Sequence, residues 1–239
     1  MIIKVYHNNK DYKIDTKQSI DISIPYNFNG AQPNFYDVNP GELTPLKFGE
    51  TSYSVADGAG CNVPEISMNI HCTGTHTEYV GHLLEDPGDI GMVFKDILIP
   101  TVLITVHPKL FNDLKEFYHF SINDNELVIS AESISEKFGN WQDYKPQALI
   151  IRTMPNDEDK KYHQFTKIPP PFFTNDALEL ISKLCIEHLV VDLPSIDRMA
   201  DNGILGNHRI FWGDGSNPKG EVNPNSINTI TELAYIQDE

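Results

Sequence analysis

The sequence predicts an α/β fold, on three observations. Short runs of β-branched and apolar residues recur along the chain, an amphipathic helix lies between two of them, and no repeat or low-complexity linker divides the 239 residues. Ile2 to Tyr6 and Ile20 to Ile24 read as strands from their β-branched content. Thr101 to Val106, Leu127 to Ser130, Ala148 to Thr153 and Leu189 to Leu193 follow. Several of these runs are continuous rather than alternating, the pattern of strands covered on both faces. The helix begins near Thr174, which caps it, and Asp176 sits in its first turn. Its apolar positions, Ala177, Leu178, Ile181, Leu184 and Cys185, keep helical spacing and are expected in the core. Strand, helix, strand in that order predicts a parallel unit with a right-handed crossover. A single domain over residues 1–239 is expected.

Two stretches break the regular pattern. Met154 to Phe173 carries a DEDKK run and Pro169-Pro170-Pro171; a connection this long predicts a lid or a subunit contact. Trp212 to Ser226, with Gly213, Gly215, Pro218, Gly220 and Pro224, predicts a surface excursion.

Lys and Arg number 18 against 34 Asp and Glu, giving a net charge of −16. That charge argues against nucleic acid and anionic membrane surfaces as partners and leaves a small molecule as the expected one. A 40% hydrophobic, 10% aromatic composition supports a packed core. The three cysteines, Cys61, Cys72 and Cys185, have no CxxC spacing and suggest a reducing compartment. No basic leader with an apolar core opens the chain, and no run reaches the roughly 18 apolar residues of a membrane span. A cytoplasmic setting is expected.

The histidines are clustered: three of nine, His71, His76 and His82, fall within the twelve residues 71–82, together with Cys72 and Glu78. An isolated histidine is ordinarily a hydrogen-bonded core or surface residue, but imidazole, thiol and carboxylate at this density are what borderline divalent metals bind. If the segment from His76 is extended, His76, Glu78, Val80 and His82 share one face. Cys72 shares that face in an uninterrupted strand, whereas a turn or bulge at Gly74 brings His71 there instead. Cys61 reads as a loop thiol. His188, at the end of the helical pattern, sits where the dipole favours a cation.

Gly74-Thr75-His76-Thr77-Glu78-Tyr79-Val80-Gly81-His82 resembles the HxGTHxDxPxH signature of the metal-dependent cyclase family, which includes bacterial kynurenine formamidases and isatin hydrolases. Asp21-Ile22-Ser23 is similar to the family's opening strand, Ala148 to Thr153 to its LLIRT strand, and Asp192 to Asp197 to its GxDxxSxD turn. His208 and Thr231-Glu232-Leu233 are similar to the downstream histidine and the closing LExL. The resemblance implies a swivelling β/β/α-type fold with a barrel-like mixed sheet, a homodimer or homotetramer, and a site for one or two divalent ions, Zn²⁺ first and Mn²⁺ second. It implies His76 and Glu78 as metal ligands, His208 and Glu232 as residues completing the site or a second ion, and His82 as general acid/base. The implied activity is hydrolysis of an amide-type C–N bond, release of formate from N-formylkynurenine being the leading reaction. Lactam or lactone hydrolysis is the close alternative, and a non-catalytic binding member the alternative of another class.

The chain departs from the signature in places. Glu78 replaces the family's Asp, and Val80 its Pro. Cys72 stands where the family has His, so His71 and Cys72 are both candidate ligands. His71 is the preferred one, because Gly74 gives the chain freedom to turn; a Cys72 thiolate would favour Zn²⁺. Glu221 competes with Glu232, which is retained because Ile227, Ile230 and Leu233 around it suggest an element that points one acid inward. Phe35, Tyr36 and Tyr53 are candidate walls of a substrate pocket, and Phe35 and Tyr36 stand where the resemblance places the Pro-x-Trp-Pro-Gly segment of formamidases.

Overall fold

The computed structural model describes residues 1–123 and 125–238. β1 (Ile2–His7) and β2 (Lys10–Asp15) form an antiparallel hairpin. β3 (Glu42–Pro45) pairs with β6 (Pro64–Ser67), and between them β4 (Lys47–Phe48) pairs with β5 (Thr51–Ser52). Every residue of β3 and β6 is exposed, so these strands form an arm standing off the rest of the chain. The short helix α1 (Ile70–Thr73) and then β7 (His76–Tyr79) return the chain to the body.

The body alternates strand and helix. β8 (Thr101–Val106) is followed by β9 (Lys109–Leu110), β10 (Leu127–Ile129) and α2 (Ala131–Phe138). Next come β11 (Ala148–Thr153), β12 (Phe172–Phe173), α3 (Asn175–Lys183) and β13 (His188–Val191). α4 (Gly206–Trp212) and β14 (Thr229–Glu232) complete the order. The central sheet runs β7-β14-β13-β11-β8, with β7 antiparallel to β14 and the other neighbours parallel. β12, β10 and β9 form a small second sheet.

The predicted unit around α3 is present. Thr174 Oγ1 accepts the Ala177 N–H at 3.1 Å, and β11 and β13 on either side are parallel neighbours. Ala177, Leu178 and Ile181 pack, fully buried, with Leu149, Ile151, Leu189 and Ile230 of the sheet. The expected cover on both faces is incomplete: Ile150 and Arg152 of β11 are half-buried and Leu103 of β8 is exposed, because the helices seal one face while the other is crossed only by the chain's end, Ala234 N–H donating to Val191 O at 3.1 Å.

Several expectations are corrected. Ile20–Ile24 is no strand: Ile22 O accepts one backbone bond, from Tyr235, and Asp21 folds onto Ser23, its side chain accepting the Ser23 N–H at 2.8 Å. Cys185 is exposed, because the helix ends at Lys183 and Cys185 turns the chain in the left-handed region at φ 57°. His188 opens β13 rather than closing a helix. Its ring stacks on Phe94 and its Nδ1 lies 2.8 Å from Thr229 Oγ1, and burial lowers its pKa, the reverse of a stabilised cation. Trp212 is fully buried, its indole N–H donating to Asn228 O at 3.0 Å; the excursion starts after it. The two edges of the central sheet, β7 and β8, are not paired with each other, so the barrel-like closure is absent among the described residues. The β1–β2 hairpin lies beside β8 instead, with Val5 and Ile14 facing Pro100 and Thr101 across a cavity.

β7 and β14 position the site. Their antiparallel register sets His76 opposite Glu232 and Ile230 opposite Glu78. The carboxyl ends of the parallel strands β13 and β14 therefore meet the amino end of β7, the edge where α/β sheets place their sites.

Replacing Ile181 with alanine removes a fully buried side chain under the sheet. The expected result is a loss of about 2–5 kcal/mol in chemical denaturation, with the denaturant slope unchanged.

Candidate metal centre

Glu78 is the hub. Strand alternation along β7 turns His76 and Glu78 inward, both buried. The strand ends at Tyr79, however, and Val80–Leu83 forms a 3₁₀ turn. His82 thus reaches the site around a turn, with Nδ1 3.4 Å from Glu78 Oε2, while Val80 is sealed in the core instead of sharing the ligand face.

Before β7, the turn of α1 sets the parity. Asn69 caps it, its side chain accepting the Cys72 N–H at 3.0 Å. His71 then projects toward Glu78, with Nδ1 3.3 Å from Oε2. Cys72 points into the cluster of Ile24, Phe35, Phe165, Leu233 and Tyr235, and burial first, then Glu232, pushes its thiol pKa up. Cys72 belongs to none of the ligand groups described below.

On the far side stand His208 of α4 and Glu232 of β14, both buried. His208 Nε2 lies 2.7 Å from Glu78 Oε1 and 3.7 Å from Glu232 Oε1. Glu232 Oε1 accepts the Ile196 N–H at 2.9 Å, and Oε2 lies 3.7 Å from His76 Nε2. Glu221, the competitor, is exposed in the loop after α4. One ligand atom each from His71, His76 and Glu78 lies within 4.8 Å of the others, and the same holds for Glu78, His208 and Glu232.

The electrostatics follow from this crowding. Burial alone would raise Glu78, but His208, His71 and His82 around it pull its carboxyl well below the usual range. Burial and the Glu78 charge hold Glu232 well above its ordinary value. Burial lowers His76 and His82. His208 resists its own complete burial, because Glu78 and Asp197 face its two nitrogens and raise it well above an ordinary imidazole.

Asp197 is the residue that sequence reasoning left without a role. It is 1% exposed, and its Oδ2 lies 2.7 Å from His208 Nδ1. Its oxygens also accept the Asn207 N–H at 2.9 Å and the Tyr118 hydroxyl at 3.2 Å. A carboxylate behind an imidazole fixes which nitrogen carries the proton and leaves the other for a ligand. The signal lies in the Asp192–Asp197 turn, whose last acid falls eleven residues before His208.

The side chains fit a divalent cation. His76 Nε2 is buried with no hydrogen-bond partner, and two carboxylates and three further imidazoles converge on the same place. A cavity of about 120 Å³ opens onto the cluster, walled by Phe35, Tyr36, Cys72, Pro194 and Leu205. Phe35 and Tyr36 have ring centroids 4.0 Å apart, and the Tyr36 hydroxyl donates to Met199 O at 3.0 Å. Burial first, then Asp201, pushes that phenol up to about 12, so it stays neutral. The long 154–173 connection backs this wall: Phe165 packs edge-on to Phe35, and Lys160 is tied to Asp192 at 2.7 Å. Tyr53 lies on the arm, away from the pocket.

Fold and side chains together define a mixed α/β protein with a histidine–carboxylate centre of the kind that holds divalent metals. The chain belongs to the Cyclase family: the family model, described as "Putative cyclase", matches residues 20–198. Kynurenine formamidase of Bacillus cereus is 27% identical over 197 residues, 82% of this chain and 78% of that protein. The Bacillus mycoides enzyme of the same name is 28% identical over the same shares. Isatin hydrolase A from Labrenzia aggregata, solved bound to benzyl benzoate, shares the fold with a TM-score of 0.54 at 13% identity, over 91% of this chain and 80% of that one.

Asp197→Asn keeps the shape but withdraws the charge behind His208. Metal affinity measured by chelator competition is expected to fall about 10–100-fold, with the far-ultraviolet circular dichroism unchanged.

Proposed function

We propose that this chain is a metal-dependent hydrolase of a non-peptide amide C–N bond, with N-formylkynurenine, cleaved to kynurenine and formate, as the first substrate to assay. The observation that carries the reading is the buried Glu78 carboxylate with His71, His82 and His208 around it, at the floor of an aromatic-walled cavity. The names of the Bacillus relatives supply the reaction.

His71, His76, Glu78, His208 and Glu232 are the residues that would hold the metal, and Glu78, common to both ligand groups, suits a pair of ions as well as one. Zn²⁺ is assigned first and Mn²⁺ second, since imidazole and carboxylate accept either and Cys72 stands outside both groups. When bound, such a cation polarises a carbonyl and brings the pKa of a coordinated water toward 7.

The remaining chemistry belongs to the chain. His82, its side chain 31% exposed, borders the cavity within reach of a substrate. Burial lowers its pKa, so at neutral pH its imidazole is free to take a proton from the attacking water. The same ring then returns that proton to the leaving nitrogen as the C–N bond breaks. Asp197 holds His208 in place, and Phe35 and Tyr36 offer flat apolar surface to an aromatic substrate. A lactam or lactone presents the same carbonyl and is the second panel to assay.

The assembly proposed is a homodimer or homotetramer acting in the cytoplasm, within the swivelling β/β/α arrangement that the resemblance implies. The arm supports the assembly, with Phe48 79% and Ile66 60% exposed, and Ile70 of α1 beyond it is 59% exposed. Three free cysteines suit a reducing cytoplasm. No helix among the described residues is long and apolar enough to cross a membrane.

Chelation is expected to abolish formate release, and Zn²⁺ or Mn²⁺ to restore it. His82→Ala is expected to lower kcat by about 10²–10⁴-fold with bound metal retained; wild-type turnover in that variant would contradict its role. Phe48→Glu combined with Ile66→Glu is expected to shift the protein to monomer in light scattering.

A further inference from the structure

His119 lies in the connection before β10, outside the centre described above. Its Nδ1 is 3.1 Å from Asn175 Oδ1. Asn175 spends its amide nitrogen on Asn207 Oδ1, donating at 2.7 Å, so its Oδ1 is an acceptor and Nδ1 of His119 carries the proton. Nε2 is therefore the nitrogen left for another partner. It is buried and has no hydrogen-bond partner.

One ring nitrogen of His119 and one oxygen each of Asp197 and Asp201 lie within 4.8 Å of one another. Both acids are buried, at 1% and 4% exposure. Asp201 accepts the backbone N–H groups of Gly203 at 2.8 Å and Leu205 at 2.6 Å, and among the described residues no Lys or Arg pairs with either acid. Gly206 makes room for the ring: a Cβ there would come within 2.2 Å of His119 Cε1. Two buried carboxylates and an imidazole whose Nε2 has no partner thus converge; His208 lies against Asp197, but among the described residues no ion pair reaches Asp201, and uncompensated buried charge is costly at low dielectric.

We propose that His119, Asp197 and Asp201 form a separate site for a divalent transition-metal ion such as Zn²⁺ or Mn²⁺. The imidazole donor selects these ions over Ca²⁺ and Mg²⁺, which take oxygen ligands. The ion ties the segment carrying Tyr118 and His119 to the loop that opens α4. It also touches the first centre indirectly, since Asp197 Oδ2 lies 2.7 Å from His208 Nδ1. The inference does not depend on the hydrolase reading.

The test counts metal in the full chain, stripped, reloaded with Zn²⁺ alone or Mn²⁺ alone and desalted. His119→Gln and Asp201→Asn are each expected to lose one equivalent relative to wild type, whereas His76→Ala keeps that equivalent and loses metal from the first centre. Wild-type stoichiometry in both His119→Gln and Asp201→Asn overturns the proposal. Should those variants fail to melt cooperatively, anomalous diffraction at the zinc edge from wild-type crystals decides. A peak beside His119 and Asp201 is expected, and its absence at a zinc concentration that fills the first centre overturns the site.

Discussion

The Glu78 carboxylate has been taken out of water and given imidazoles in its place, and the rest of the site is arranged by that exchange. A buried carboxylate without compensation would neutralise itself by taking up a proton. Here His208, His71 and His82 keep it ionised, and burial together with the charge that results forces the nearby Glu232 upward. One buried acid held charged and its neighbour pushed toward the neutral form is an unbalanced pair. A divalent cation bound there would resolve the imbalance, since Glu78 and Glu232 could then both be ionised.

The fold makes this possible through register more than through any single contact. β14 lies between a parallel neighbour and an antiparallel one, which sets His76 and Glu232 side by side at one end of the sheet. A slip of one residue would take His76 and Glu78 off the face they share with Ile230 and Glu232. Helix α4 then delivers His208 from the opposite side, backed by Trp212, whose ring centroid lies 5.1 Å from that of His208. Asp197 ties the two sides together, since the loop that bears it also supplies, through Ile196, the N–H that Glu232 accepts.

Much of this was legible in the sequence. β-branched runs found the central strands β8, β11 and β13, because one face of each is sealed in the core and the other still carries apolar or β-branched residues such as Leu103, Ile150 and Val190. The density of His71, His76, Glu78 and His82 located the centre. What could not be read was local backbone shape. The α1 turn that presents His71 and hides Cys72, and the 3₁₀ turn that brings His82 around after Tyr79, both replace a strand whose parity the residues alone suggested. Ile20–Ile24 has strand composition but no full-length partner beside it. Cys185 has the right helical spacing, yet the helix stops two residues earlier. His119 carried no signal at all, its significance resting on Asn175, Asp201 and Gly206, distant in sequence and joined only by the fold.

The most direct test is the metal content of Glu78→Gln, an isosteric change that removes only the charge at the hub. The protein is expected to melt cooperatively while losing the divalent metal proposed to lie among His71, His76, His208 and Glu232. A Glu78→Gln protein that retains wild-type metal stoichiometry and affinity at this centre would contradict the role given to that carboxylate.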